Sequence, residues 1–197
     1  MGKERWQGAK ARPRLFSEWG KTMASALERA RDYLTDVTPL RKDCGVRCGA
    51  ACCTDDSADG GEEMGMLLFP GEIELYAPED MSWMRIVLSE ADFGAPVPLL
   101  VCDGTCPRDK RPLACRMFPL GPKVRGGGVV TARMDARARF VCPLYASGKR
   151  GLAPEFVEAA ENAFSALWED EEQRDFLIWL SGLIDEHVRM LREFRQP

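Results

Sequence analysis

One histidine and three tyrosines stand among 197 residues. A lone histidine excludes zinc hydrolase sites of the His-Glu-x-x-His type, which need two imidazoles on one helical face. It also leaves Cys–His nucleophilic catalysis with a single base, His187, and nothing singles out one cysteine as its partner. No stretch approaches eighteen apolar residues, so no membrane span is expected. The start, Met1-Gly2-Lys3-Glu4-Arg5-Trp6, lacks the apolar segment of a secretory signal. A cytoplasmic, reducing setting is therefore expected, where cysteines remain thiols or bind metal rather than pair. Charge of one sign is not in excess: 27 basic and 31 acidic side chains leave a net charge of −4. That balance argues against a general nucleic-acid binder, because there is no overall cationic field to gather phosphates.

The composition that is present, 45% hydrophobic and 29% charged, suffices for a core and excludes a disordered chain. Residues 1–15 form a basic tip carrying Lys3, Arg5, Lys10, Arg12 and Arg14, which reads as a solvated terminus. Residues 16–197 read as one domain without internal repeats. Phe16, Trp19, Met23, Leu27, Ala30, Tyr33, Leu34 and Val37 fall on one helical stripe, which Thr38-Pro39 ends. Met66 to Phe69 and Val97 to Val101 read as short strands, and Trp83 to Leu88 fits helix or strand. Pro70 to Ala77 suits one or two helical turns. Lys123 to Arg125 and Val129 to Met134 flank Gly126-Gly127-Gly128 and predict a hairpin. The triple glycine lacks the Lys-Ser/Thr of a phosphate loop, so turn geometry explains it.

The region 154–195 is helical in pattern. Pro154 suits a first helical position, and Phe156, Ala160, Ala163, Phe164 and Leu167 recur at helical spacing. Glu169 to Glu172 suit the positive start of a second helix. Phe176, Leu180, Leu183, Ile184, Val188, Leu191 and Phe194 form its apolar stripe. His187 lies in that stripe and reads as a core histidine rather than a ligand. The expected fold class is α+β, with amphipathic helices flanking an irregular cysteine-rich centre that holds short antiparallel strands.

The eight cysteines all lie in that centre, within residues 44–143. Cys44, Cys48, Cys52 and Cys53 form C-x3-C-x3-C-C, Cys102 and Cys106 form C-x3-C, and Cys115 and Cys142 stand singly. Ordinary core cysteines would scatter through the helical stripes. Clustering in glycine-rich loops suits a soft metal, which needs thiolates converging from a backbone free to curl. All eight are candidate ligands for zinc or iron, as tetrahedral zinc sites or as an iron–sulfur cluster. Adjacent side chains diverge, so Cys52 and Cys53 are expected to face different ways. Arg111 and Arg116 beside Cys115 can offset the negative charge of a thiolate centre. Asp55, Asp56 and Asp59 lack the spacing of a calcium loop and read as a polar turn.

The run Cys106-x4-Arg111-Pro112-x2-Cys115-Arg116-x-Phe118-Pro119, downstream of a cysteine cluster, resembles the YkgJ-type cysteine-cluster proteins. The resemblance covers Cys44 to Pro143. The first cluster is spaced one residue wider than the C-x2-C-x2-C-C of that family, and Leu68-Phe69-Pro70-Gly71-Glu72-Ile73 loosely matches the turn that follows it. The resemblance implies a zinc- or iron-chelating domain, with an iron–sulfur oxidoreductase as the alternative and kinship to lysine N-methylases as a minor one. No Gly-x-Gly turn followed by an acidic residue supplies an S-adenosylmethionine site. A metal ion is the expected partner, with no membrane, no nucleic acid and no protein partner identified by the sequence. The whole reading requires sulfurs from distant parts of the chain to meet at a common ion or cluster.

Overall fold

The computed structural model describes residues 24–42, 44–53, 65–104 and 106–193, with only the backbone of Cys53. The basic N-terminal tip, the first residues of the N-terminal stripe, Asp55, Asp56, Asp59 and Phe194 lie outside the described residues. Five α-helices, two small antiparallel sheets and several single-turn 3₁₀ segments make up these residues, an α+β fold.

Helix α1 (Ala26–Tyr33) opens on Ser25, whose hydroxyl accepts from the Glu28 backbone N–H at 3.1 Å while the Glu28 carboxylate accepts from the Ser25 N–H at 2.7 Å. This reciprocal cap satisfies two donors that a helix start leaves open. Leu27 and Ala30 of α1 and Leu34 beyond it are buried. The helix stops four residues short of Val37, where the stripe predicted its end. The Leu34 and Thr35 N–H groups donate to carbonyls only three residues back, Arg31 at 3.1 Å and Asp32 at 3.2 Å, which tightens and closes the last turn, and Pro39 has no N–H with which to carry the ladder on. Arg108 then supplies donors to the carbonyls of Thr35 at 3.3 Å and Val37 at 3.2 Å beyond the helix.

The C-terminal helices follow their predicted stripes. In α4 (Pro154–Trp168), Phe156, Ala160, Ala163, Phe164 and Leu167 are all buried, and in α5 (Glu171–Glu193) so are Phe176, Leu180 and Ile184. Leu183, Val188 and Leu191 are partly buried and pack against the same core. Asp170 accepts from the Gln173 N–H at 3.0 Å and caps the start of α5.

Strands β1 (Met66–Leu67), β2 (Met84–Asp92) and β3 (Pro96–Cys102) form one sheet in the order β1-β3-β2. The ambiguous Trp83 to Leu88 segment is thus strand from Met84 onward, with Trp83 in the turn before it. Met84 and Ile86 alternate into a small cluster with Leu68 and Leu100, a period of two that a helix cannot use. Gly65 precedes β1 where a Cβ would lie 2.5 Å from the Leu100 carbonyl oxygen, so only glycine lets the two chains pair there. The predicted hairpin is β4 (Leu120–Arg125) and β5 (Val129–Met134), in register from Leu120 with Met134 to Arg125 with Val129. The Pro70 to Ala77 stretch holds a 3₁₀ turn, Glu72–Leu75. The main core lies between α1, α4, α5 and the hairpin, leaving the cysteine-bearing turns at its margin.

Candidate metal centre

Cys44, Cys48, Cys52, Cys106, Cys115 and Cys142 line one cavity of about 290 Å³, together with Arg108, Arg111 and Arg116. Its remaining wall is largely apolar and includes Leu34, Val37, Pro39, Phe118, Pro119 and Leu144. Three separate stretches of chain bring these sulfurs together.

The first stretch is α2 (Gly45–Cys48), a single turn with Cys44 at its N-terminal boundary. The Cys48 thiol donates weakly to the carbonyls of Cys44 and Gly45, at 3.9 and 4.0 Å. Gly49 and Ala50 then both take left-handed backbone conformations, with φ of 60° and 57°. For Gly49 this costs nothing; for Ala50 it is a strained choice, since a Cβ crowds the carbonyl there. The two residues reverse the chain and return Cys52 to the cavity wall.

The second stretch runs from Cys106 through the Arg-Pro-x-x-Cys-Arg motif. Pro112 marks the boundary of α3 (Leu113–Met117), which carries Cys115 in its middle. Arg116 donates to the carbonyls of Asp109 at 2.7 Å, Arg111 at 2.9 Å, and Arg31 and Arg108 at 3.4 Å. It thereby clasps the loop from Arg108 to Arg111 onto α1. Burial, then the neighbouring Arg31, lowers the basicity of this guanidinium, which still remains charged at neutral pH. The third stretch presents Cys142 before the 3₁₀ turn Pro143–Ser147, with the Cys142 N–H bonded to Ala138 O at 2.8 Å. Burial pushes the Cys142 thiol above the ordinary range, and the nearby Cys48 adds to the shift, while the backbone of Leu144 and Tyr145 works against it.

Among the described residues, no disulfide joins any of the seven cysteines whose side chains are described. Cys102 does not reach the cavity. It lies at the end of β3, opposite Met84, and packs on the Leu68, Ile86 and Leu100 cluster. The side chain of Cys53 lies outside the described residues. His187 is partly buried on α5, away from the cavity, and its Nε2 has no hydrogen-bond partner among the described residues. The convergence is coarser than the sequence reading requires: among the described residues, no three His, Cys, Asp or Glu side chains are close enough together to hold an ion. The sulfurs share a cavity without meeting at one point.

Sequence reasoning missed the group that holds α3 in place. Glu72 is fully buried, and its carboxylate accepts from the Leu113 N–H at 2.6 Å, the Phe69 N–H at 3.1 Å and Arg31 Nη1 at 2.8 Å. The only signal was an acid inside an apolar run, Leu68-Phe69-Pro70-Gly71-Glu72-Ile73. The Thr35 to Pro39 wall was equally hidden, because its role depends on Arg108 reaching it from 71 to 73 residues away.

Comparison with protein-family models, with curated proteins and with solved structures finds no match. The resemblance to the YkgJ-type cluster therefore rests on the motifs alone.

Proposed function

We propose that the cavity binds zinc or iron through cysteine thiolates. The observation that carries this reading is the convergence of six cysteines, from three stretches of chain, on one cavity of about 290 Å³. The donor set suits a soft or borderline metal, since thiolate ligands select zinc, copper(I) and iron–sulfur centres. Arg108, Arg111 and Arg116 on the same wall suit the negative charge that several thiolates bring. Ligands would come from Cys44, Cys48, Cys52, Cys106, Cys115 and Cys142; Cys102 and His187 lie apart. The same chemistry favours a reducing setting such as the cytoplasm, where thiols stay free.

A second reading, an iron–sulfur redox centre, is favoured by the breadth of the cavity. One zinc ion draws its sulfurs to about 2.3 Å, so zinc requires the walls to close in. A cluster of several irons and sulfides spans more space and accepts ligands that stand further apart.

Protein purified under argon, analysed for metal content and scanned in the visible, tests both. Bound zinc with no colour supports the first reading; iron, sulfide and a visible absorption bleached by dithionite support the second. Protein that retains no metal, and takes up neither zinc nor ferrous iron with its thiols reduced, overturns the proposal.

A further inference from the structure

Beside the cysteine cavity lies an open groove of about 610 Å³, within the range of small-ligand sites. Its charged lining is Arg41, Lys42, Arg47 and Arg150, and no acidic residue among those described lines it. Arg41 is committed to Glu155, with Nε 2.8 Å from Oε1 and Nη2 3.4 Å from Oε2. Lys42, Arg47 and Arg150 are exposed and form no ion pair among the described residues. Three cations without an ion pair among the described residues on one groove are unexpected in a chain whose net charge is −4. Leu40, Val46 and Leu152 add apolar surface between them.

We propose that this groove binds a small organic polyphosphate. Two guanidinium forks and one ammonium match a ligand of about three negative charges, and the planar fork fits pairs of phosphate oxygens. The apolar side chains offer contact to an organic body next to that head. The groove also shares a wall with the cysteine cavity: Cys44, Gly45 and Cys48 face the cavity, whereas Val46 and Arg47 of the same turn face the groove. A bound polyphosphate would thus press on the turn that carries Cys48. The inference does not depend on the cavity holding metal.

The test is calorimetric titration of the full chain with ATP and with pyrophosphate, at low and moderate ionic strength, without added magnesium. Wild type is expected to bind ATP more tightly than pyrophosphate, and more weakly as salt rises. The double variant Arg47→Ala/Arg150→Ala is expected to lose at least about tenfold in ATP affinity, in keeping with two charge-assisted contacts. Arg125→Ala/Arg192→Ala removes the same charge elsewhere and should bind as wild type. No ATP binding at low salt, or equal weakening in both double variants, overturns the site. Equal affinity for ATP and pyrophosphate overturns the organic body and its apolar contacts. Metal content measured on the same samples keeps this outcome separate from the fate of the metal reading.

Discussion

The Leu113 N–H donates to Glu72 Oε1 at 2.6 Å, across 41 residues of sequence. That bond fixes the start of the five-residue helix carrying Cys115 to a carboxylate with no solvent exposure. Arg31, whose side chain is 13% exposed, supplies the opposing charge at 2.8 Å. Removing the acid leaves a nearly buried guanidinium and two backbone N–H groups without their acceptor. Glu72→Ala is therefore expected to cost about 3–5 kcal/mol in urea unfolding, and to reduce metal uptake by loosening Cys115. A loss below about 1 kcal/mol would show that water replaces the carboxylate freely.

The same residue predicts a pH dependence. Burial pushes the Glu72 carboxyl above its ordinary value of 4.5, against the pull of the Leu113 and Phe69 N–H groups and of Arg31. The folded protein then holds this proton more tightly than the unfolded chain does. Its contribution to stability is complete below 4.5 and is lost as pH rises through the folded value. Glu72→Gln cannot titrate, so wild type should lose stability relative to Glu72→Gln as pH is raised from acid to neutral. Parallel stability profiles for the two proteins would contradict the shift.

The cavity separates the cysteines into two groups. Cys106→Ser and Cys115→Ser are expected to lower metal content and thermal stability together, because the binding energy of a metal becomes folding energy. Cys102→Ser, outside the cavity, should keep its metal and change stability by about 1 kcal/mol or less. His187→Ala should likewise keep its metal. Loss of one equivalent from either would place that side chain among the ligands.

Arg116 acts through geometry as much as charge. Its four carbonyl acceptors, on Arg31, Arg108, Asp109 and Arg111, call for a planar fork. Arg116→Ala is expected to cost about 2–3 kcal/mol, and Arg116→Lys should recover little of it despite keeping the charge. Full rescue by lysine would mean that the loop needs only a cation.

Much of the scaffold was legible in the linear pattern. The stripes of α4 and α5 bury Phe156, Phe164, Phe176 and Ile184 as their 3.6-residue period requires. The triple glycine turns the β4–β5 hairpin, with Gly127 and Gly128 at positive φ. Six of the clustered cysteines line one cavity.

What periodicity could not reach was the choice among them. Cys102 and Cys106 look alike in sequence, yet Cys102 ends a strand opposite Met84 while Cys106 lies beyond the Gly104 turn on the cavity wall. Amino-acid order alone determined which segments are amphipathic, because hydrophobic spacing is a local property that burial simply rewards. Tertiary structure alone decided which thiols share a cavity, that Arg108 holds the segment after α1, and that a buried glutamate anchors α3. Each of those depends on groups brought together from distant parts of the chain, where short 3₁₀ turns and irregular loops carry no period to announce the meeting.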